Sequence, residues 1–77
     1  MKIEFDPDAD AMYIQLRKGR VGSTRSLDES RNVDLGTDGH PVGVELLDVS
    51  KGIDTTDLPE RAAVEAALAK LGTKVFA

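Results

Sequence analysis

The 77 residues carry 10 Lys and Arg against 14 Asp and Glu, a net charge of −4, and make one small domain. There is no cysteine, which excludes disulfide staples, thiolate metal sites and cysteine nucleophiles. No apolar run approaches the roughly 20 residues of a membrane helix, and the opening MKIEFDPDAD turns acidic too early for a signal peptide, so a cytoplasmic protein off the membrane is expected.

Ile3 and Phe5 alternate with polar residues, the cluster Asp6-Pro7-Asp8-Ala9-Asp10 breaks the run, and alternation resumes at Met12, Ile14 and Leu16. Period two marks strands with one buried face. The spacing predicts a hairpin with Phe5 opposite Met12, Ile3 opposite Ile14 and Met1 opposite Leu16. Lys18-Gly19 offers the next turn, and Val21 to Leu27 is β-tolerant but weakly patterned. Asp28-Glu29-Ser30 reads as a connection. Asp38-Gly39 is a strong two-residue turn signal; folding about it sets Leu35 against Val42 and Val33 against Val44, with Asn32 meeting Glu45 and Asp34 meeting Gly43. Pro41, lacking an N–H, belongs near the start of its strand or on an edge.

The period then changes. Asp57 and Glu60 resemble a capping box, Pro59 fits a first turn, and Val64, Ala67, Leu68 and Leu71 recur at helical spacing. Gly72 is a natural stop. A helix over 58–71 is predicted within the C-terminal segment 57–72, and Val75 and Phe76 suggest that the last residues dock. The expected fold is therefore α+β: one domain over 1–77, with an antiparallel β-meander of about five short strands in 1–50 and one helix packed on one face.

Asp6, Asp8 and Asp10 open like an EF-hand calcium loop, in which alternating carboxylates converge on a hard cation. That loop needs Gly at its sixth position and Glu at its twelfth, where this chain has Ala11 and Arg17. An acidic β-turn is the favoured reading. His40 is the single histidine and cannot make a zinc site by itself. The serines lack a nucleophile-elbow context and the glycines fall in no phosphate cradle. Asp10 and Glu45 are paired carboxylates only if the fold unites them. Tyr13 lies out of phase with Met12 and Ile14, on the opposite face. No catalytic residue, cofactor or metal ligand is assigned. One patch stands out: Arg17, Lys18, Arg20, Arg25 and Arg31, against only Asp28 and Glu29, give residues 17–31 a charge of +3 and leave −7 to the remainder. It reads as a solvated hairpin rim or as a docking stripe for an acidic partner or nucleic acid.

The stretch FDPDADAMYIQL (5–16) resembles the opening signature of a small prokaryotic family of unknown function, family twenty-two eighty-three, and NVDLGTDGHPVGVELLDVS (32–50) is similar to its second signature. Phe5 stands where the family more usually has Tyr, which leaves apolar packing intact, and the helix is less characteristic of the family. The resemblance implies a small α+β fold and no known activity. Because members are often encoded beside small toxin-like proteins of a ribonuclease-related fold, it also suggests an antitoxin or accessory role.

Together these readings favour a non-enzymatic module that self-assembles, most simply as a dimer, and takes a small protein partner. A protein contacting nucleic acid through residues 17–31 is the alternative, and a metal-dependent enzyme centred on Asp6, Asp8, Asp10 and His40 ranks last. The dimer rests on area. Five strands about 4.8 Å apart are wider than one helix about 10 Å across can cover.

Overall fold

A computed structural model gives the structure of residues 1–76. Alternating side chains fold the first sixteen residues into β1 (Lys2–Asp6) and β2 (Ala11–Gln15), an antiparallel hairpin in which Ile3 faces Ile14 and Phe5 faces Met12. Three further strands follow, β3 (Val21–Asp28), β4 (Arg31–Gly36) and β5 (Pro41–Leu46). All five form one antiparallel sheet, as the α+β expectation has it. Their order differs from that of a simple meander. It runs β1-β2-β5-β4-β3, so β5 pairs with β2 and β3 becomes the far edge. Strands β2 to β5 thus follow a Greek-key path. Burial explains the order: β2 and β5 carry Met12, Ile14, Val44 and Leu46, each at most 3% exposed, and sit inside, while the weakly patterned β3 takes an edge.

The β4–β5 hairpin turns at Asp38-Gly39 with one correction to its register. Gly39 N–H bonds the Gly36 carbonyl at 2.9 Å and Gly36 N–H bonds the His40 carbonyl at 2.8 Å. The loop therefore has three residues, Thr37 to Gly39, and Gly39 takes φ 84°, the geometry of a turn closed by a glycine bulge. Leu35 consequently faces Pro41 instead of Val42. A second irregularity after Asp34 restores the expected pairing, with Asp34 against Gly43, Val33 against Val44 and Asn32 against Glu45.

Beyond β5 the chain makes a 3₁₀ turn (Val49–Lys51), a short strand β6 (Ile53–Asp54), the helix α1 (Arg61–Lys70) and a strand β7 (Val75–Phe76) that pairs in parallel with β6. The helix starts three residues later than predicted. Asp57 and Glu60 are both left-handed, at φ 64° and 50°, and neither side chain caps a helix: Glu60 is the residue before α1 and makes no side-chain cap bond. Leu58 explains the delay. It is 5% exposed, and the turn closed by its N–H on the Thr55 carbonyl at 3.2 Å brings it into the core. At the other end Gly72, at φ 69°, terminates α1 as anticipated. Thr73 N–H bonds the Leu68 carbonyl and Gly72 N–H the Ala69 carbonyl, both at 3.1 Å, a Schellman motif. Val75 packs partly buried against the core, as the docking expectation holds; the Phe76 side chain and Ala77 lie outside the described residues.

One core joins these parts. Met12, Ile14, Leu16, Val44 and Leu46 from one sheet face meet Val49, Ile53 and Leu58 from the connection and Val64 and Leu68 from α1. The cover that a lone helix lacks thus comes largely from residues 49–58. Among the apolar side chains expected to need shelter, Phe5 stays 53% exposed.

Candidate functional site

The structure sets Arg31 apart from the other four basic residues. Arg31 sits in β4 at the inner end of the stripe, its side chain only 12% exposed. Its Nε–H donates to Asp28 Oδ2 at 2.9 Å, and one terminal nitrogen reaches the Asp54 carbonyl at 3.0 Å and also the Thr56 carbonyl. It therefore ties the β3–β4 turn to the segment that leads into α1. Arg17, Lys18 and Arg20, on the link between β2 and β3, and Arg25, in β3, are exposed.

Beside Arg31 an open cleft of about 490 Å³ is bordered by Asp28, Asp48, Lys51 and Asp54, with Leu46 and Ile53 among its lining residues. The Ser30 N–H, at 2.9 Å from Asp28 Oδ1, with Arg31 behind it, holds the Asp28 carboxyl below its ordinary range. The Thr56 N–H does the same for Asp54, again at 2.9 Å. These carboxylates are spent on local turns, a common use of Asp.

The Asp6, Asp8 and Asp10 loop is divided among separate tasks. Asp6 Oδ1 accepts the N–H groups of Asp8 and Ala9 at 3.1 and 3.3 Å, the acidic turn expected from its sequence. Asp10 turns away at φ 52° and clamps residues 40 positions later. Its carboxylate accepts the Ser50 N–H at 2.9 Å and the Ser50 hydroxyl at 2.7 Å, and its carbonyl accepts the Val49 N–H at 3.1 Å. Glu45 takes Asn32 instead, at 3.0 Å, so Asp10 and Glu45 have different partners. His40 is exposed and donates its backbone N–H to Asp38 Oδ1 at 3.0 Å, which lowers the Asp38 pKa. Among the described residues no group of three or more His, Asp or Glu is arranged to hold a metal ion.

The face opposite the helix holds a feature that sequence reasoning missed. Tyr13 leans from β2 across β5 and donates its hydroxyl to Asp34 Oδ2 on β4 at 2.8 Å, while Thr24 on β3 donates to Asp34 Oδ1 at 2.7 Å. The ring passes over Gly43, where any Cβ would collide with it. Burial, the Asp34 hydrogen bond and the nearby charges of Asp34 and Glu45 push the Tyr13 pKa up to about 12. A neutral phenol fixed on a carboxylate is a donor already in use. A glycine in mid-strand was the available signal, since such a residue often marks a close approach.

The two sheet edges also differ. β3 is interrupted by two register shifts, which twist an edge out of pairing geometry. β1 is regular along its whole length, and Phe5 within it and Met1 just before it are 53% and 54% exposed. Among the described residues no helix is long and apolar enough to cross a membrane.

Comparison with known proteins gives one match. The model of a family described as "Protein of unknown function (DUF2283)" matches residues 2–50, which takes in the whole five-stranded sheet. No curated protein and no solved structure matches the chain.

Proposed function

The chain belongs to the DUF2283 family, and on that premise we propose that it is a non-catalytic, cytoplasmic interaction module of prokaryotic type that self-assembles through its exposed sheet. The observation that carries this reading is β1: an edge strand without bulge or internal proline, beside two large apolar side chains more than half exposed. Regular edges of this kind are templates for pairing with another chain, and proteins otherwise blunt them. The polar side chains support it from the other side. Tyr13, Asp10 and Arg31, which in another setting serve chemistry, each hold the fold together. A small toxin-like partner protein, toward which the family resemblance gives this chain an antitoxin role, meets the same edge. Light scattering of the full chain over a concentration series tests the reading: an apparent mass that rises with concentration supports it, and a constant monomer mass counts against it.

A second reading rests on a different observation. Arg17, Lys18, Arg20 and Arg25 lie exposed along the link and the far edge, as a rim suited to phosphates. Binding of RNA or DNA whose strength falls steeply with added salt would favour it.

A further inference from the structure

We propose that two copies of this chain join through β1, antiparallel about a two-fold axis at Ile3, so that their sheets run on as one. The inference rests on the self-assembly reading above and names its seam and register.

The argument begins with which backbone groups are free. Leu16 N–H bonds the Val42 carbonyl at 2.8 Å. In an antiparallel ladder alternate residues turn both backbone groups to the same neighbour, so Ile14 and Met12 also face β5. Gln15, Tyr13 and Ala11 then face β1, where their partners are Lys2, Glu4 and Asp6. That leaves Ile3 and Phe5 with N–H and C=O directed off the edge. An added strand must meet these groups.

Side-chain charge selects one register for a second copy. Centring the axis on Glu4 sets Glu4 against Glu4 at the close, non-hydrogen-bonded spacing, which is destabilising. Centring it on Phe5 opposes Glu4 to Asp6 twice, and centring it on Lys2 opposes Lys2 to itself. With the axis at Ile3 no like charges meet. Ile3 faces Ile3 as a hydrogen-bonded pair, Phe5 faces Met1, and on the polar face Lys2 faces Glu4 at both ends. The same register covers Met1 and Phe5, the two exposed apolar side chains of this edge. Lys2 and Glu4 are free to exchange partners, because their present contact at 3.5 Å is between side chains 70% and 69% exposed. The paired strip is short, so the dimer is reversible and depends on concentration.

Exchanging the charges tests the register without touching the core. Sedimentation of the full chain, of Lys2→Glu, of Glu4→Lys and of an equimolar mixture of the two variants gives four readings. The wild type is expected to shift from monomer to dimer with concentration. Each variant alone opposes like charges at both ends of the seam and should dimerise about tenfold more weakly. In the mixture the edge of one variant, acidic at both positions, meets the edge of the other, basic at both, which restores pairing to wild-type strength. Variants that dimerise as tightly as the wild type, or a mixture that gains nothing, overturn the β1 seam while self-assembly stands. A wild type that stays monomeric throughout overturns both.

Discussion

The two faces of the sheet are built from the same strands and held by different means. On β2, Met12 and Ile14 point to the helix side, where they are 3% and 0% exposed, while Tyr13 between them points the other way. The helix-side face gains its stability from volume: aliphatic groups of β2 and β5 close against Val49, Ile53, Leu58, Val64 and Leu68. The open face is polar and wet, and gains order from shape. One ring crosses one glycine to reach one carboxylate. A face without a core can still specify its own arrangement where a strand leaves room for a neighbour.

The sharpest contrast comes from truncating each face. Leu68→Ala removes a side chain with no exposure at all and should cost about 2–5 kcal/mol, read from denaturant midpoints at constant slope. A cost below that of Tyr13→Phe would erase the distinction between the faces. Gly43→Ala comes next and reverses an ordinary sign. Alanine in a strand is normally better than glycine by about 0.5–1 kcal/mol, yet here the new Cβ displaces the Tyr13 ring and should cost about 1–3 kcal/mol. In a Tyr13→Ala background the same substitution should become neutral or stabilising, and a cycle showing no such coupling would break the shape argument.

The smallest effects concern the phenol itself. Tyr13→Phe deletes the hydrogen bond to Asp34 while keeping the ring, for about 1 kcal/mol. The pH dependence has a definite sign. The neutral phenol is favoured in the folded chain, whose Tyr13 pKa is about 12 against an ordinary 10.0. Its contribution is therefore complete below pH 10 and lost as pH rises toward 12. Ultraviolet titration of this single tyrosine should show the late ionisation, and the alkaline loss of stability should vanish in Tyr13→Phe.

Local pairing was legible in the sequence because period two and turn chemistry act over short distances. Ile3 with Ile14, Phe5 with Met12 and Val33 with Val44 follow from alternation together with the position of each turn. What was not legible depends on partners remote along the chain. Nothing near β5 announces that it pairs with β2. The capping signal at Asp57 and Glu60 was overruled by Leu58, which the core draws in. Arg31 looks like Arg17 in sequence, and only contacts with Asp54 and Thr56, more than twenty residues away, separate a tether from a surface charge. Tyr13 could be placed only on the face opposite Met12 and Ile14, because the glycine and carboxylate that define its role lie on two other strands.

The placement of β5 between β2 and β4 also sets the order in which this chain can acquire its structure. The β1–β2 hairpin and the run from β3 to β5 each close over short loops, which cost little chain entropy and form fast. Neither hairpin region holds the core alone, since Ile14 and Val44 face each other only once β2 and β5 have met. That meeting brings together residues some thirty positions apart, the kind of non-local contact that slows folding. The Asp10–Ser50 clamp at one end of this seam and the Leu16–Val42 bond at the other fasten the two halves where the search between them ends.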